Sequence, residues 1–70
     1  MVSNYSILVD ESGANDPRYD TTIDVFCGDE KYEGFLSLTW NEQTDEELIK
    51  YTQKYYPEIP DNCKVVYTWK

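Results

Sequence analysis

The four residues Thr44-Asp45-Glu46-Glu47 constrain this chain more than any others. A threonine whose hydroxyl serves the third N–H of a helix, answered by a glutamate at that third position, is a capping box. Three acids in the first turn also suit the positive end of the helix dipole. A helix is therefore predicted to start just after Thr44. Leu48, Tyr51, Thr52 and Tyr55 follow at helical spacing and form its predicted buried stripe. Lys50 and Lys54 fall late in the helix, where positive charge is favourable, and Glu46 faces Lys50 one turn on. Pro57 stops the helix near Tyr56. Folding explains these acids, so they are not counted as functional.

The rest of the chain reads as strand and turn. Tyr5 to Val9 is rich in β-formers and gives a first strand. Asp10 to Thr21, with its Ser, Gly, Asn, Asp and Pro, reads as a loop of about a dozen residues, long for a small domain. Its oxygen-bearing side chains do not follow the spacing of a calcium loop. Thr22–Cys27 and Tyr32–Trp40 read as a hairpin. Two registers compete. One pairs Phe26 with Phe35, Val25 with Leu36 and Ile23 with Leu38, placing aliphatics on one face and the two Phe on the other. The other uses Gly28-Asp29 as a two-residue turn but opposes Asp24 to Glu33, and like charges across a pair are unfavourable. The first is preferred. Pro60-Asp61-Asn62 is a turn, and Lys64 to Trp69 a last strand.

The expected fold is α+β: a single domain over residues 1–70, with a small, mostly antiparallel four-stranded sheet, one helix on one face, and the order β-β-β-α-β. Seventy residues leave no room for a second domain. A chain of this size buries only about 60% of its unfolded surface, so deep clefts are hard to build. Aromatic residues make up 16% of it, too many for a disordered chain.

Charge bounds the partners. Fourteen acids against six bases give −8. Eight of the acids are Asp10, Glu11, Asp16, Asp20, Asp24, Asp29, Glu30 and Glu33, opposed there only by Arg18 and Lys31. That excludes binding nucleic acid directly through a basic face and argues against an anionic membrane surface. The partner expected is a basic protein surface, steered toward the acidic segment.

Chemistry is sparse. The chain has no histidine, hence no usual general base or commonest zinc ligand. It carries no phosphate loop and no nucleophile elbow. Two cysteines, Cys27 and Cys63, are neither a secreted disulfide framework nor a zinc site, and read as free, buried thiols, with one bridge between them as the alternative. No enzyme activity, no cofactor and no metal are expected. With no leader-like or membrane-length apolar segment, the expected location is the cytoplasm, that of a host cell if the protein is viral.

A single short helix covers one face of a four-stranded sheet. The opposite face, carrying Phe26 and Phe35 beside Asp24 and Glu33, is predicted either to meet a partner or to be covered by the loop of residues 10–21. The candidate partner-binding residues are thus Asp10, Glu11, Asp16, Asp20, Asp24, Phe26, Asp29, Glu30, Glu33 and Phe35. Two classes of function remain. One is an inhibitor of a nucleic-acid-processing protein, with carboxylates standing in for phosphates. In size, charge and lack of catalytic groups, though in no particular motif, the chain is similar in type to the small acidic proteins that phages turn against host nucleic-acid enzymes, anti-CRISPR and anti-restriction proteins among them. The other is a structural protein, a homodimer or accessory subunit joined through the aromatic face.

Overall fold

The computed structural model describes residues 4–11 and 17–69. The strands are β1 (Tyr5–Asp10), β2 (Thr21–Cys27), β3 (Glu30–Leu38) and β4 (Lys64–Tyr67), with the helix α1 (Asp45–Gln53) between β3 and β4. They form one sheet in the order β3-β2-β1-β4. β1 pairs antiparallel with β2, and β2 antiparallel with β3. β4 instead pairs parallel with β1, Ile7 opposite Val65 and Val9 opposite Tyr67. The fold is thus α+β, and its sheet is mostly antiparallel with one parallel pair.

The hairpin follows the tight-turn register at its end and neither expected register beyond it. At the turn, Cys27 faces Glu30 and Phe26 faces Lys31, so Gly28-Asp29 is a two-residue turn after all. Gly28 has φ of 63°, while Asp29 keeps a negative φ, the requirement of a type II′ turn. Beyond Phe26 the register shifts, and Asp24 faces Phe35, Ile23 faces Leu36 and Thr21 faces Leu38. The shift removes the repulsion that had counted against the tight turn. Asp24 no longer opposes Glu33 but lies 3.6 Å from the Lys31 ammonium. The expected Phe26–Phe35 pair is thereby corrected to Phe26–Lys31 and Asp24–Phe35.

Alternation decides the faces. Ile7, Val9, Ile23, Val25 and Leu38 turn to one side, where they are buried with Leu48 and Ile49 of α1 and with Ile59 and Cys63. Tyr51 ties helix to sheet by donating its hydroxyl to the Ser37 carbonyl, 2.9 Å away. The buried positions of α1 are Leu48, Ile49 and Thr52. Tyr55, expected in that stripe, is 56% exposed. The chain tightens after Gln53, with Tyr55 N–H bonded to the Thr52 carbonyl, and the Tyr55 ring stands edge-on outside Tyr51 at 5.5 Å. Ile49 is buried because the chain returns over it. Gln53, one turn on, donates its amide to the Ile59 carbonyl at 2.8 Å.

The capping box forms as expected. Glu47 N–H donates to the Thr44 hydroxyl at 3.2 Å, and Thr44 N–H donates to the Glu47 carboxylate at 3.0 Å. Both cysteines are free, but only Cys63 is buried; Cys27 is exposed at the end of β2. Burial raises the Cys63 thiol above its ordinary pKa.

Candidate functional site

Strand direction sorts the acidic residues. β1 ends beside the start of β2, since Asp10 pairs with Thr22. Asp10, Glu11 and Asp20 therefore gather at one end of the sheet. Asp29 and Glu30 lie at the hairpin turn, at the other end, where Tyr5 pairs with Cys27. Six residue steps of β2 separate the ends, about 20 Å at roughly 3.3 Å per residue. Asp24 and Glu33 lie between them. Asp16 falls outside the described residues. The acids thus form two separated groups with a mixed surface between.

That surface is the sheet face away from α1. Register and alternation place Leu8, Phe26, Phe35 and Val66 on it, with Ser6, Asp24, Lys31 and Ser37. Phe35 is 47% exposed and Val66 38%, while Leu8 and Phe26 are half-buried. Phe26 and Phe35 share the face as expected, though as diagonal neighbours rather than a cross-strand pair. Asp24 sits among these apolar groups with its charge countered by Lys31. Thr22, toward the acidic end of the same face, is buried.

The acidic end with Asp10 holds a second feature, carried by residues the sequence did not single out. Trp40 follows β3 and Trp69 follows β4. Both strands run parallel to β1, so both tryptophans leave the sheet at the end where Glu11 leaves β1 and Asp20 enters β2. The two indoles meet at 79° with centroids 5.1 Å apart. Tyr67 packs edge-on against both, at 6.1 Å from Trp40 and 5.3 Å from Trp69, and donates its hydroxyl to Asp45. Burial, and then that hydrogen bond, push the Tyr67 phenol up to about 12. Beside this cluster is a cavity of about 330 Å³ lined by Glu11, Asp20, Thr21, Trp40 and Trp69.

Asp20 organises the cavity wall. Its Oδ1 accepts the Trp40 backbone N–H at 2.8 Å and the Thr21 hydroxyl at 3.1 Å. The Trp40 N–H is the main cause that holds this carboxyl below its ordinary value of 3.8, so Asp20 stays ionised. Sequence signals for the cavity were weak. Trp40 and Trp69 read simply as strand ends, and only the direction of β4 brings them together.

Among the described residues no group of three or more His, Cys, Asp or Glu side chains is placed to hold a metal ion, and no helix is long and apolar enough to cross a membrane. The sequence matches no known family model and no curated protein, and the fold matches no solved structure.

Proposed function

We propose that this chain is a protein-binding module that docks on a basic protein surface, and that it acts as an inhibitor of a nucleic-acid-processing protein by occupying the surface meant for phosphates. The observation that carries the reading is the sheet face opposite α1. It offers Phe35 and Val66 to solvent, with Leu8 and Phe26 beside them, between two ends that hold the acids. Exposed apolar groups around the Asp24–Lys31 ion pair, flanked by charge at both ends, suit a specific interface. The net charge of −8 selects a basic partner, and nucleic-acid-binding proteins are the class that presents such surfaces. With acids at both ends, the phosphate-like contacts would be made at two places about 20 Å apart rather than along one continuous track. The exposed aromatic face also supports a second reading, a homodimer or accessory subunit in which this face meets another copy.

Salt and stoichiometry separate the two. The tagged chain is used to capture partners at about 50 mM and about 500 mM salt, with sedimentation of the chain alone in parallel. The inhibitor reading expects a basic nucleic-acid-binding protein held at low salt, released at high salt, and lost with Phe35→Ser or with neutralisation of Asp20, Asp24 and Asp29. A chain that sediments as a salt-insensitive dimer and captures nothing refutes it and establishes the second reading.

A further inference from the structure

We propose that the cavity beside Trp40 and Trp69 is a receptor for an arginine side chain, and that a guanidinium presented by the partner seats there. This rests on the reading of the partner as a basic protein and names the group it inserts. Three observations carry it. First, two indoles in edge-to-face contact, at 79° with centroids 5.1 Å apart, line the cavity. A corner of this kind presents π-surface to a cation, and tryptophan is the best of the aromatic side chains for that contact. Second, two carboxylates, Glu11 and Asp20, line the same cavity. The Trp40 N–H and the Thr21 hydroxyl both end on Oδ1 of Asp20 and fix the carboxylate on the cavity wall. A planar guanidinium can stack on one indole while its N–H groups reach carboxylate oxygens, a combination that a compact ammonium matches less well. Third, about 330 Å³ lies at the bottom of the range of about 300–1,000 Å³ for small-ligand clefts. It suits one side-chain head rather than a cofactor.

Trp40 and Trp69 are the only tryptophans in the chain, so indole fluorescence and the two indole N–H resonances report this cavity alone. The full chain is titrated with N-acetyl-arginine amide and, as a neutral isostere, with N-acetyl-citrulline amide. The expected result is a saturable shift of both indole resonances with the arginine probe, in the millimolar range of a single side chain, and none with citrulline. Trp69→Leu should weaken the probe about 10-fold or more. Glu11→Gln, an exposed change that leaves the fold alone, should weaken it about 2- to 5-fold. Equal binding of arginine and citrulline overturns the proposal, as does the absence of a saturable shift at either indole. Failure here is distinguishable from failure of the partner reading: the titration needs no partner, and of the capture variants Phe35→Ser, unlike Asp20 neutralisation, lies on a different surface.

Discussion

Replacing Thr44 by alanine should cost this protein more than an exposed threonine ordinarily would. The side chain accepts the Glu47 N–H at 3.2 Å and donates its hydroxyl to the Glu47 carboxylate at 3.2 Å; alanine loses both and leaves that carboxylate only the backbone N–H of residue 44, at 3.0 Å. An N-cap threonine contributes about 1 kcal/mol, within a range of about 0.5–2. Unfolding entropy of about 2.1 cal/mol/K per residue gives roughly 0.15 kcal/mol/K for 70 residues, so about 1 kcal/mol lowers Tm by about 7 °C. The loss spreads through the molecule. Helices below about 12–15 residues are marginal alone, α1 has nine, and it supplies Leu48, Ile49 and Thr52 to the interior.

The assay is thermal unfolding followed by far-ultraviolet circular dichroism on Thr44→Ala, Thr44→Ser, Glu47→Ala and the double alanine variant. Serine keeps the hydroxyl and should stay within about 2 °C of the parent. Because the box is reciprocal, the double variant should lose less than the sum of the singles, by about 0.5 kcal/mol or more. A Thr44→Ala shift under about 2 °C, or serine as damaging as alanine, would refute the claim that the cap limits helix stability.

Three further outcomes are expected. Gly28→Ala should cost about 1–2 kcal/mol although nothing lies within 4 Å of an added Cβ, because φ of 63° at that position is strained for an L-residue; D-alanine placed there by chemical synthesis should hold or raise Tm, and equal losses with both enantiomers would show that the turn is not the cause. Folded-state pKa values predict opposite pH limits. The Asp20 pKa is lowered, so its contribution is present above its ordinary value and lost as pH falls through the folded value; the Tm difference between parent and Asp20→Asn should be constant above about pH 5 and shrink below about pH 4. The Tyr67 pKa is raised, so its contribution is present below about pH 10 and lost as pH climbs through about 12, a decline that Tyr67→Phe should flatten. In the native protein a thiol reagent should modify Cys27 quickly and Cys63 only at the rate of unfolding or local opening, and two equally fast thiols would contradict the burial of Cys63.

The faces of the sheet were more legible than its pairs, and the reason is arithmetic. The expected register and the observed one over Thr21–Asp24 differ by two residues. A one-residue slip turns every side chain to the other face, whereas a two-residue slip returns each to its own. Ile23, Val25, Leu36 and Leu38 were therefore assigned to the right side while paired with the wrong partners. A charge clash excludes the tight turn only where one register serves the whole hairpin. The irregularity between Asp24 and Phe26 lets the tight turn and the relieved clash coexist. The helix was legible at its start, where the box is local chemistry, and less so at its end. There, burial of Ile49 in place of Tyr55 depends on where the chain from Ile59 to Cys63 lies.

The same logic divides the candidate sites. Antiparallel hairpins alternate direction, so once three sequential strands are granted, the residues leaving β1, entering β2 and leaving β3 must share one end of the sheet. Glu11, Asp20 and Trp40 could have been grouped on that ground alone. Trp69 could not, because its position follows from β4 lying parallel beside β1 rather than extending the hairpins. Yet α1 stands between β3 and β4, and a helix between two strands of one sheet is the usual crossover joining parallel strands. β3 runs parallel to β1, so a β4 parallel to β3 ends where β1 ends, and Trp69 arrives beside Glu11. The aromatic cavity is thus a consequence of the element order, with the crossover delivering its second indole. The apolar face has a different origin. One helix of nine residues can cover only one side of four strands, and Phe35 and Val66 stand where the alternation leaves apolar groups on the other. The crossover thus accounts for both: it sends β4 parallel to β1, and it lays α1 on one face while Phe35 and Val66 stay exposed on the other.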